Sequence, residues 1–242
     1  MRCLGDTLIV AAEAVAPFLL VAQFGSIAGW SAPEVVMLIG IGRVGEGIAL
    51  AVGRGVDPTV FSTTVRLGLF DQVLTRPISP LGWLLTTEVE LRHVFRAVAG
   101  AGIICVAARS ADVGLTPVNV LVLLAACAAS ALFVLSILVM GAALTFRTVE
   151  GSDVANLAAN GGIGLVSFPL DVYGSALRFV FTFLLPVGLC VYVPMLFVLH
   201  RDGPGVLGPG LLPAMPIGVA VLVGAALLCW RAGLRHYQST GS

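Results

Sequence analysis

The sequence contains no lysine, and only 11% of its 242 residues are charged. A lysine Schiff base, a phosphate-binding P-loop lysine and the catalytic lysine of a protein kinase are therefore excluded within this chain. Thirteen arginines are balanced by thirteen acidic residues, so no basic surface for nucleic acid is predicted. Because 58% of the residues are apolar, the chain cannot cover a water-soluble domain with polar side chains.

Catalytic and metal-binding patterns are also missing from the sequence. The three histidines (His93, His200 and His236) are scattered, and neither an HExxH nor a GxSxG motif occurs. The five cysteines are far apart, with no CxxC pair, so we interpret them as small buried apolar residues. We therefore expect that this chain is not itself an enzyme and that it binds neither a metal nor a cofactor.

Long runs without charge dominate the rest of the chain. Residues 113–146 and 203–230 contain no Asp, Glu or Arg, and each run exceeds the ~20 residues that a helix needs to cross a bilayer. Residues 120–140 are apolar on every face, whereas the strands of a membrane barrel alternate in polarity. The sequence therefore predicts an all-α integral membrane protein with a single transmembrane domain over residues 1–242. The six predicted transmembrane helices lie near 8–28, 33–53, 88–108, 117–144, 152–169 and 212–232.

The chain between the fourth and the last predicted span allows two interpretations. Asparagine and glycine weaken 152–169, and Pro186 and Pro194 interrupt the apolar segment 170–200. Either 176–200 is the fifth span and the residues before it form a cytoplasmic loop, or 152–169 crosses and 170–200 is an external re-entrant helical hairpin. We favour the hairpin, because prolines at two joints break a helix and irregular backbone inside a membrane must be covered by protein or water.

The arginines are distributed unevenly between the two sides of the membrane. If the amino terminus is inside, nine of them lie in or beside cytoplasmic segments, and only Arg109, Arg178 and Arg201 lie outside. We therefore expect both termini in the cytoplasm. The apolar start of the chain could also be read as a signal peptide, but Glu13 interrupts it.

Three ionisable residues fall inside the predicted spans: Glu13 in the first, with Arg43 and Glu46 in the second. Arg43 and Glu46 are three residues apart, so one helical face can hold both as a pair, at a lower cost than two separate charges in a membrane. Glu13 could join them. Two roles stay open: a structural ion pair between the first two helices, or part of a path for a polar or cationic substrate.

The longest polar interruption is 54–80, which the topology places in the cytoplasm. Its apolar residues recur every four positions, which predicts a helix lying along the membrane surface and ending before Pro77 and Pro80. Arg66 and Asp71 are expected to face water. Such an element is either a linker resting on the membrane or a docking site for a soluble partner. The predicted apolar face consists of Phe61, Val65, Leu69 and Val73.

Residues 65–78, VRLGLFDQVLTRPI, resemble the R-x-G…D-x-x-L-x-R-P signature of a permease family of type-2, exporter-like ATP-binding-cassette transporters. Members of that family are often encoded as two permeases with one ATPase. Three further stretches, 29–30, 168–194 and 230–237, agree with the family in the expected order. The signature residues are Arg66, Gly68, Asp71, Leu74, Arg76 and Pro77.

The resemblance implies a six-helix permease half in which the signature residues form a coupling helix that contacts the ATPase. It also implies that 170–200 forms the external re-entrant helices, so the hairpin is preferred over the loop. A second permease, identical or homologous, would complete the pathway, and two ATPase subunits would bind ATP and magnesium beneath it. The re-entrant residues singled out are Pro169, Tyr173, Arg178, Pro186 and Pro194.

The resemblance, together with the apolar composition, leads us to expect an exporter subunit in a bacterial inner membrane that moves an amphipathic or lipophilic compound, as in multidrug efflux. The sequence does not distinguish a drug from a lipid, a peptide or an organic cation. The alternative is a membrane scaffold that does not transport and uses 54–80 to recruit a soluble protein. An ATP-independent channel is a weaker alternative, because no predicted span carries a regular polar stripe.

Overall fold

The computed structural model describes residues 25–87, 90–146 and 169–237. Over these ranges the chain is helical, and its only β-type pairing is an isolated bridge between Ile27 and Trp30. Two π-helical turns also occur: Val180–Leu184 extends the short helix Ser175–Phe179, and Gly188–Tyr192 precedes the short helix Val193–Val198. The α-helices are α1 (Ala32–Val52), α2 (Pro58–Arg66), α3 (Leu69–Leu74), α4 (Pro80–Thr87), α5 (Leu91–Ser110), α6 (Pro117–Thr145), α7 (Ser175–Phe179), α8 (Val193–Val198) and α9 (Ala214–Leu234).

Four of these helices, α1, α5, α6 and α9, are long and apolar enough to cross a membrane. They coincide to within a few residues with the spans predicted at 33–53, 88–108, 117–144 and 212–232. Counting the bent pair formed by Ser175–Leu184 and Gly188–Val198 as one span raises the number to five. Apart from their last residues, the predicted spans 8–28 and 152–169 lie outside the described residues.

Local sequence signals fix where the long helices begin. At the start of α1, the Ser31 backbone N–H donates to the Glu34 carboxylate at 2.7 Å, and Pro33 occupies the first turn. At the start of α6, the Thr116 hydroxyl accepts a hydrogen bond from the Asn119 backbone N–H at 3.2 Å, and Pro117 follows Thr116 directly. Both helices therefore start with a side chain that satisfies an otherwise unpaired N–H group.

Helix α1 lies between α5 and α6, and α9 packs on the other side of α6. Glycines on α1 allow the close approach: a Cβ atom added to Gly47 would lie 2.6 Å from the Ala97 nitrogen and 2.8 Å from the His93 carbonyl oxygen. Gly40 lies beside Gly100 in the same way, so α1 and α5 run antiparallel. Small residues at such crossings are typical of helix packing in membranes, where close van der Waals contact stabilises association.

The bundle has two distinguishable ends. Helices α1, α6 and α9 end on the same side of the bundle, which also carries α2, α3 and α4. We call this side the Phe61 end. The opposite end, where α1 and α9 begin, is the Trp30 end, and the bent pair packs there against the first turns of α9, with Leu189 close to Gly218. The predicted cytoplasmic segment 54–80 therefore lies at the opposite end from the predicted external segment 170–200.

The segment 170–200 consists of two helical parts bent by 84° relative to each other. The break lies at Pro186, as the sequence predicted. The prediction of a second joint at Pro194 is wrong, because Pro194 lies in the first turn of α8, in a helical run that is continuous from Gly188 to Val198. Proline has no N–H to donate to the preceding turn, and the helical run nevertheless continues through it as a π-helical turn, Gly188–Tyr192, followed by α8.

The expectation of one continuous surface helix through 61–77 is also wrong. Gly68 adopts a left-handed conformation (φ 68°) and separates α2 from α3, which then ends at Leu74. The turn rotates α3 relative to α2, so the apolar face shifts by one position. Phe70 is fully buried in place of Leu69, whose side chain is exposed, whereas Phe61 and Val73 are buried as predicted.

Candidate functional site

The signature segment at the Phe61 end divides into an exposed part and an inward-facing part. Leu67 is 66% exposed, and Arg66, Leu74 and Ile78 are also exposed. The remaining signature residues Arg76 and Pro77 are exposed too, in the loop after α3. An apolar surface flanked by arginine is therefore presented away from the bundle.

Asp71 does not simply face water, contrary to the prediction. Its carboxylate accepts a hydrogen bond from the Tyr237 hydroxyl at 2.8 Å, and both side chains are half-buried. Burial, and then the hydrogen bond to the negatively charged Asp71, raise the pKa of Tyr237 to about 12. Tyr237 therefore stays neutral at physiological pH and acts as the donor. It lies in the stretch 230–237 that carried part of the resemblance, but its contact with the signature was not predicted.

Five aromatic rings, including that of Tyr237, pack together beside this hydrogen bond. We call them the aromatic cluster. Phe61 and Phe70 are fully buried and meet edge to face, with their centroids 5.3 Å apart. Phe70 also lies edge to face with Tyr237, at 5.1 Å. Such pairs contribute roughly 0.5–1.5 kcal/mol each beyond the area they bury. The members of the aromatic cluster are Phe61, Phe70, Phe146, Trp230 and Tyr237.

Arg76 has a partner that the sequence analysis missed. Its guanidinium carbon lies 3.8 Å from the centroid of the Trp83 ring in α4. This is a cation–π contact, and it holds the loop after α3 against α4. The two residues are seven positions apart, with Pro77 and Pro80 between them, so no periodic pattern in the sequence indicated this contact.

The predicted pair of Arg43 and Glu46 does form, with 2.7 Å between Arg43 Nη1 and Glu46 Oε2. The other oxygen of the same carboxylate lies 2.7 Å from Arg96 Nη1 on α5. Glu46 is buried and serves two guanidinium groups on two helices. The sequence analysis did not include Arg96, and Glu13, which it suggested as a third member, lies outside the described residues.

A second ionic group lies where α1 ends and α5 begins. Glu90 Oε1 is 2.6 Å from Arg92 Nε, and Glu90 Oε2 is 3.5 Å from Arg54 Nε. The Glu90 backbone N–H also donates to the Ala51 carbonyl at 3.3 Å. These contacts connect α1 to α5 across the segment that contains α2, α3 and α4.

At the Trp30 end, one carboxylate joins the start of α1 to the bent pair. Asp171 Oδ2 accepts hydrogen bonds from Trp30 Nε1 at 2.6 Å and from the Tyr192 hydroxyl at 2.7 Å. Each of these residues lies in a stretch that carried the resemblance, but none was predicted to be a site residue. The structure therefore brings residues 29–30 together with residues 169–173 and 192–194, which belong to the second of the resembling stretches.

Arg201 and Arg178 extend this cluster. Arg201 Nη1 lies 3.0 Å from Glu34 Oε2, and its guanidinium carbon lies 5.0 Å from the Trp30 ring. Arg178 Nε donates to the Tyr173 carbonyl oxygen at 2.6 Å. Burial raises the pKa of Tyr173, so its hydroxyl stays neutral. Of the residues predicted for the re-entrant segment, Tyr173 and Arg178 thus contact each other directly.

Two apolar grooves run along the long helices. One of about 380 Å³ lies between α1 and α5 near the Trp30 end and is lined by Val36, Ile103 and Val106. The other, of about 360 Å³, lies among α1, α5 and α6 and is lined by Ile48, Ile104 and Leu124. Both suit an apolar chain or ring. No cluster of potential metal ligands occurs in the part of the chain that the structure describes.

Comparison with known proteins gives one clear match. No curated protein and no solved structure matches the chain significantly. A family model described as "ABC-2 family transporter protein" matches residues 7–241, which is nearly the whole chain. The resemblance seen in the signature at 65–78 is thereby confirmed. With four to five apolar helices able to cross a membrane, the chain belongs to the ABC-2 transporter family as a multi-pass permease subunit, a family that works with an ABC ATPase.

Proposed function

We propose that this permease exports an amphipathic or lipophilic small molecule, and that the ATPase driving it docks on the Phe61 end. The docking surface consists of Arg66, Leu67, Leu69, Leu74 and Ile78. The observation that carries the proposal is that these exposed side chains lie on or next to two short helices, α2 and α3, whose other faces are fixed by buried rings. A docking element has to be rigid to transmit a movement, and the aromatic cluster supplies that rigidity.

Neither ATP nor magnesium is assigned to this chain; both would be bound by the ATPase subunits. Two copies of the ATPase would dock beneath two permease halves, either identical or homologous, and the pathway would lie between the halves. The apolar grooves and the shortage of charge favour a lipophilic cargo over a hydrophilic one. The ion group of Arg43, Glu46 and Arg96 is proposed as a structural link between α1 and α5.

The proposed topology has six crossings with both termini in the cytoplasm. Phe146 lies in the aromatic cluster at the Phe61 end, and Leu170 contacts the bent pair at the Trp30 end. The positions of Phe146 and Leu170 at opposite ends of the bundle support the proposed crossing between them. In this topology the bent pair enters the membrane from outside and returns to the same side, and the break at Pro186 supports that path.

The docking proposal is tested by exposed leucines at the two ends of the bundle. Leu67→Ser and Leu74→Ser should abolish copurification of the ATPase subunit that the tagged wild-type chain retains, because each places a polar group in an apolar contact. Leu115→Ser, an equally simple change at an exposed leucine between α5 and α6, should leave copurification unchanged. Normal retention by both Leu67→Ser and Leu74→Ser would contradict this docking surface.

The transport proposal needs a second measurement, because a scaffold could also recruit a soluble protein through the same surface. The wild-type complex should hydrolyse ATP faster in proteoliposomes when lipophilic candidate compounds are added. A complex that binds its partner, but whose ATP hydrolysis is stimulated by no class of compound and which moves none of these compounds when ATP is added, would favour the scaffold.

The topology is tested separately with single cysteines at Tyr173 and Ile78 in a cysteine-free chain. The cysteine at position 173 should be labelled only from outside the cell, and the cysteine at position 78 only from the cytoplasm.

A further inference from the structure

The hydrogen bond between Asp71 and Tyr237 connects the docking surface to the last transmembrane helix. Asp71 lies on α3, between the exposed Leu69 and Leu74 in sequence, and Tyr237 follows α9 by three residues. The hydroxyl-to-carboxylate distance is 2.8 Å, and the acceptor is ionised, so this is a charge-assisted hydrogen bond of the stronger kind. α3 is therefore tied to a helix far from it in sequence.

The aromatic cluster strengthens the same connection. Phe70 follows Leu69 on α3 and packs on Tyr237 at 5.1 Å and near Trp230 at 6.4 Å. Phe61 of α2 lies 5.6 Å from Trp230. Because Phe61, Phe70 and Trp230 are buried, a rotation of α2 or α3 against α9 would expose aromatic surface and break these contacts.

The end of α6 takes part in this contact as well. Phe146 packs against Phe61 at 5.2 Å and against Trp230 at 5.3 Å. A Cβ atom added to Gly233 of α9 would lie 2.8 Å from the Ala143 carbonyl oxygen of α6, so the two helices touch through their backbones at this level. The short helices, the end of α6 and the end of α9 thus pack as one unit.

We infer that Asp71, Phe70 and Tyr237 form a rigid link that delivers the ATPase's movement to α9. The inference rests on the proposed function, since it requires an ATPase on the docking surface. Tyr237 is a positioning residue in this scheme: it touches no transported molecule and no nucleotide, and it acts by holding α3 against α9. Movement of the docking surface is expected to reorient α9 relative to α5, whose contacts with the rest of the bundle run through α1.

The first test uses the isolated chain and needs no ATPase. Tyr237→Phe removes only the hydroxyl and keeps the ring in the aromatic cluster. Amide hydrogen exchange of residues 69–75 should become about tenfold faster in this variant, since a hydrogen bond to a charged group is lost. Exchange in α5 should not change. His236→Ala, at the exposed neighbouring position, is the matched control and should behave as the wild type.

The second test measures movement in the complex with the ATPase subunit that copurifies with the tagged wild-type chain. Spin labels are placed on the exposed positions Val221 of α9 and Val98 of α5, in a chain whose native cysteines have been replaced. In the wild type the distance between them should differ between the nucleotide-free state and the state trapped with magnesium, ATP and vanadate. Tyr237→Phe should reduce the trapped population roughly five- to tenfold, while ATPase binding is retained and His236→Ala responds fully.

The outcomes separate this inference from the function on which it rests. If the wild-type chain retains no ATPase, the proposed function fails and the inference fails with it. Suppose that the wild-type chain binds the ATPase and its α9 moves relative to α5. If α9 moves to the same extent in Tyr237→Phe, the inference is overturned while the proposed function stands. Unchanged hydrogen exchange at 69–75 in Tyr237→Phe would also overturn the inference, because the hydrogen bond to Asp71 would then not hold α3 against α9. Loss of the α9 movement in Tyr237→Phe alone, with the ATPase still bound, supports the link.

Discussion

Trp30 and Tyr192 donate hydrogen bonds to the same oxygen atom of one carboxylate, Asp171 Oδ2, at 2.6 and 2.7 Å. Their ring centroids lie 5.6 Å apart, and both residues are almost fully buried. Trp30 immediately precedes the first turn of α1, whereas Tyr192 lies within the second half of the bent pair. A single carboxylate therefore joins the bent pair to the start of α1.

Replacing Asp171 should loosen the bent pair. In Asp171→Ala two buried donors lose their acceptor, and each such donor costs about 1–3 kcal/mol. We expect a lower unfolding temperature in detergent and faster hydrogen exchange across 175–198. Asp171→Asn keeps an oxygen acceptor, so its unfolding temperature should fall less. Asp202→Asn removes an exposed charge on the same side of the bundle and serves as the control. Equal stability of Asp171→Ala and Asp202→Asn would contradict this role.

Glu46 should be the most sensitive member of the ion group. It contacts Arg43 and Arg96 at 2.7 Å each, so Glu46→Leu removes the carboxylate from two partly buried cations at once. Arg96→Met leaves Glu46 still paired with Arg43. Breaking a buried pair costs about 3–5 kcal/mol, and Glu46→Leu is expected at or above the upper end of that range, with Arg96→Met clearly below it.

The measurement for Glu46 is the free energy of unfolding in a detergent in which the wild type unfolds reversibly. Arg109→Ala, at the exposed end of α5, is the control for the loss of an arginine. Replacing Arg43 and Glu46 together with apolar residues should not restore stability, because Arg96 would still lack its carboxylate. A double variant that is more stable than Arg43→Met would show that Arg96 has adequate compensation elsewhere.

Replacing glycine by alanine should have opposite effects on stability at Gly47 and at Gly102. In Gly47→Ala the new Cβ would lie 2.6 Å from the Ala97 nitrogen, so α1 and α5 must separate, which typically costs about 1–3 kcal/mol. Gly102→Ala on α5 has nothing within 4 Å and should be neutral or stabilising by about 0.5–1 kcal/mol through helix propensity. Thermal unfolding of the two variants side by side measures the difference. Similar unfolding temperatures would mean that the α1–α5 contact is looser than the structure shows.

Much of the helical layout follows from the sequence because local features determine it. The uninterrupted apolar run of α6 is too long for anything but a membrane-crossing helix, and prolines mark the starts of α1 and α6. The spacing of Arg43 and Glu46 was enough to predict their contact, since residues three apart share one face of a helix. In each of these cases the partners lie within one helical turn or one helix.

The contacts that were missed depend on which helices become neighbours. Arg96 meets Glu46 only because α5 runs antiparallel to α1, and no pattern within α5 indicates that. Gly68 was recognised as part of a motif, but the rotation it causes, which buries Phe70 instead of Leu69, depends on the left-handed turn that it adopts. Tyr237 lies in the stretch 230–237 that carried part of the resemblance, but no pattern in the sequence linked it to Asp71.

Asp71 and Arg76 should respond differently to replacement by alanine, although both belong to the signature. Asp71 faces inward and binds Tyr237, so Asp71→Ala should lower the unfolding temperature and also weaken coupling. Arg76 is exposed and its contact with Trp83 lies at the surface, where a cation–π pair contributes about 0.5–1 kcal/mol. Arg76→Ala should therefore leave the unfolding temperature nearly unchanged, and reduce retention of the ATPase by releasing the loop after α3.

Arg76→Lys distinguishes geometry from charge in this contact. Lysine keeps the positive charge but not the planar guanidinium that stacks on the indole, so partial retention of the ATPase is expected. Trp83→Leu removes the ring and keeps Arg76, and it should match Arg76→Ala if the stacked pair is what orders the loop. If Arg76→Ala loses the ATPase while Trp83→Leu retains it fully, Arg76 acts by direct contact with the ATPase. The stacking on Trp83 would then only hold Arg76 in place before docking.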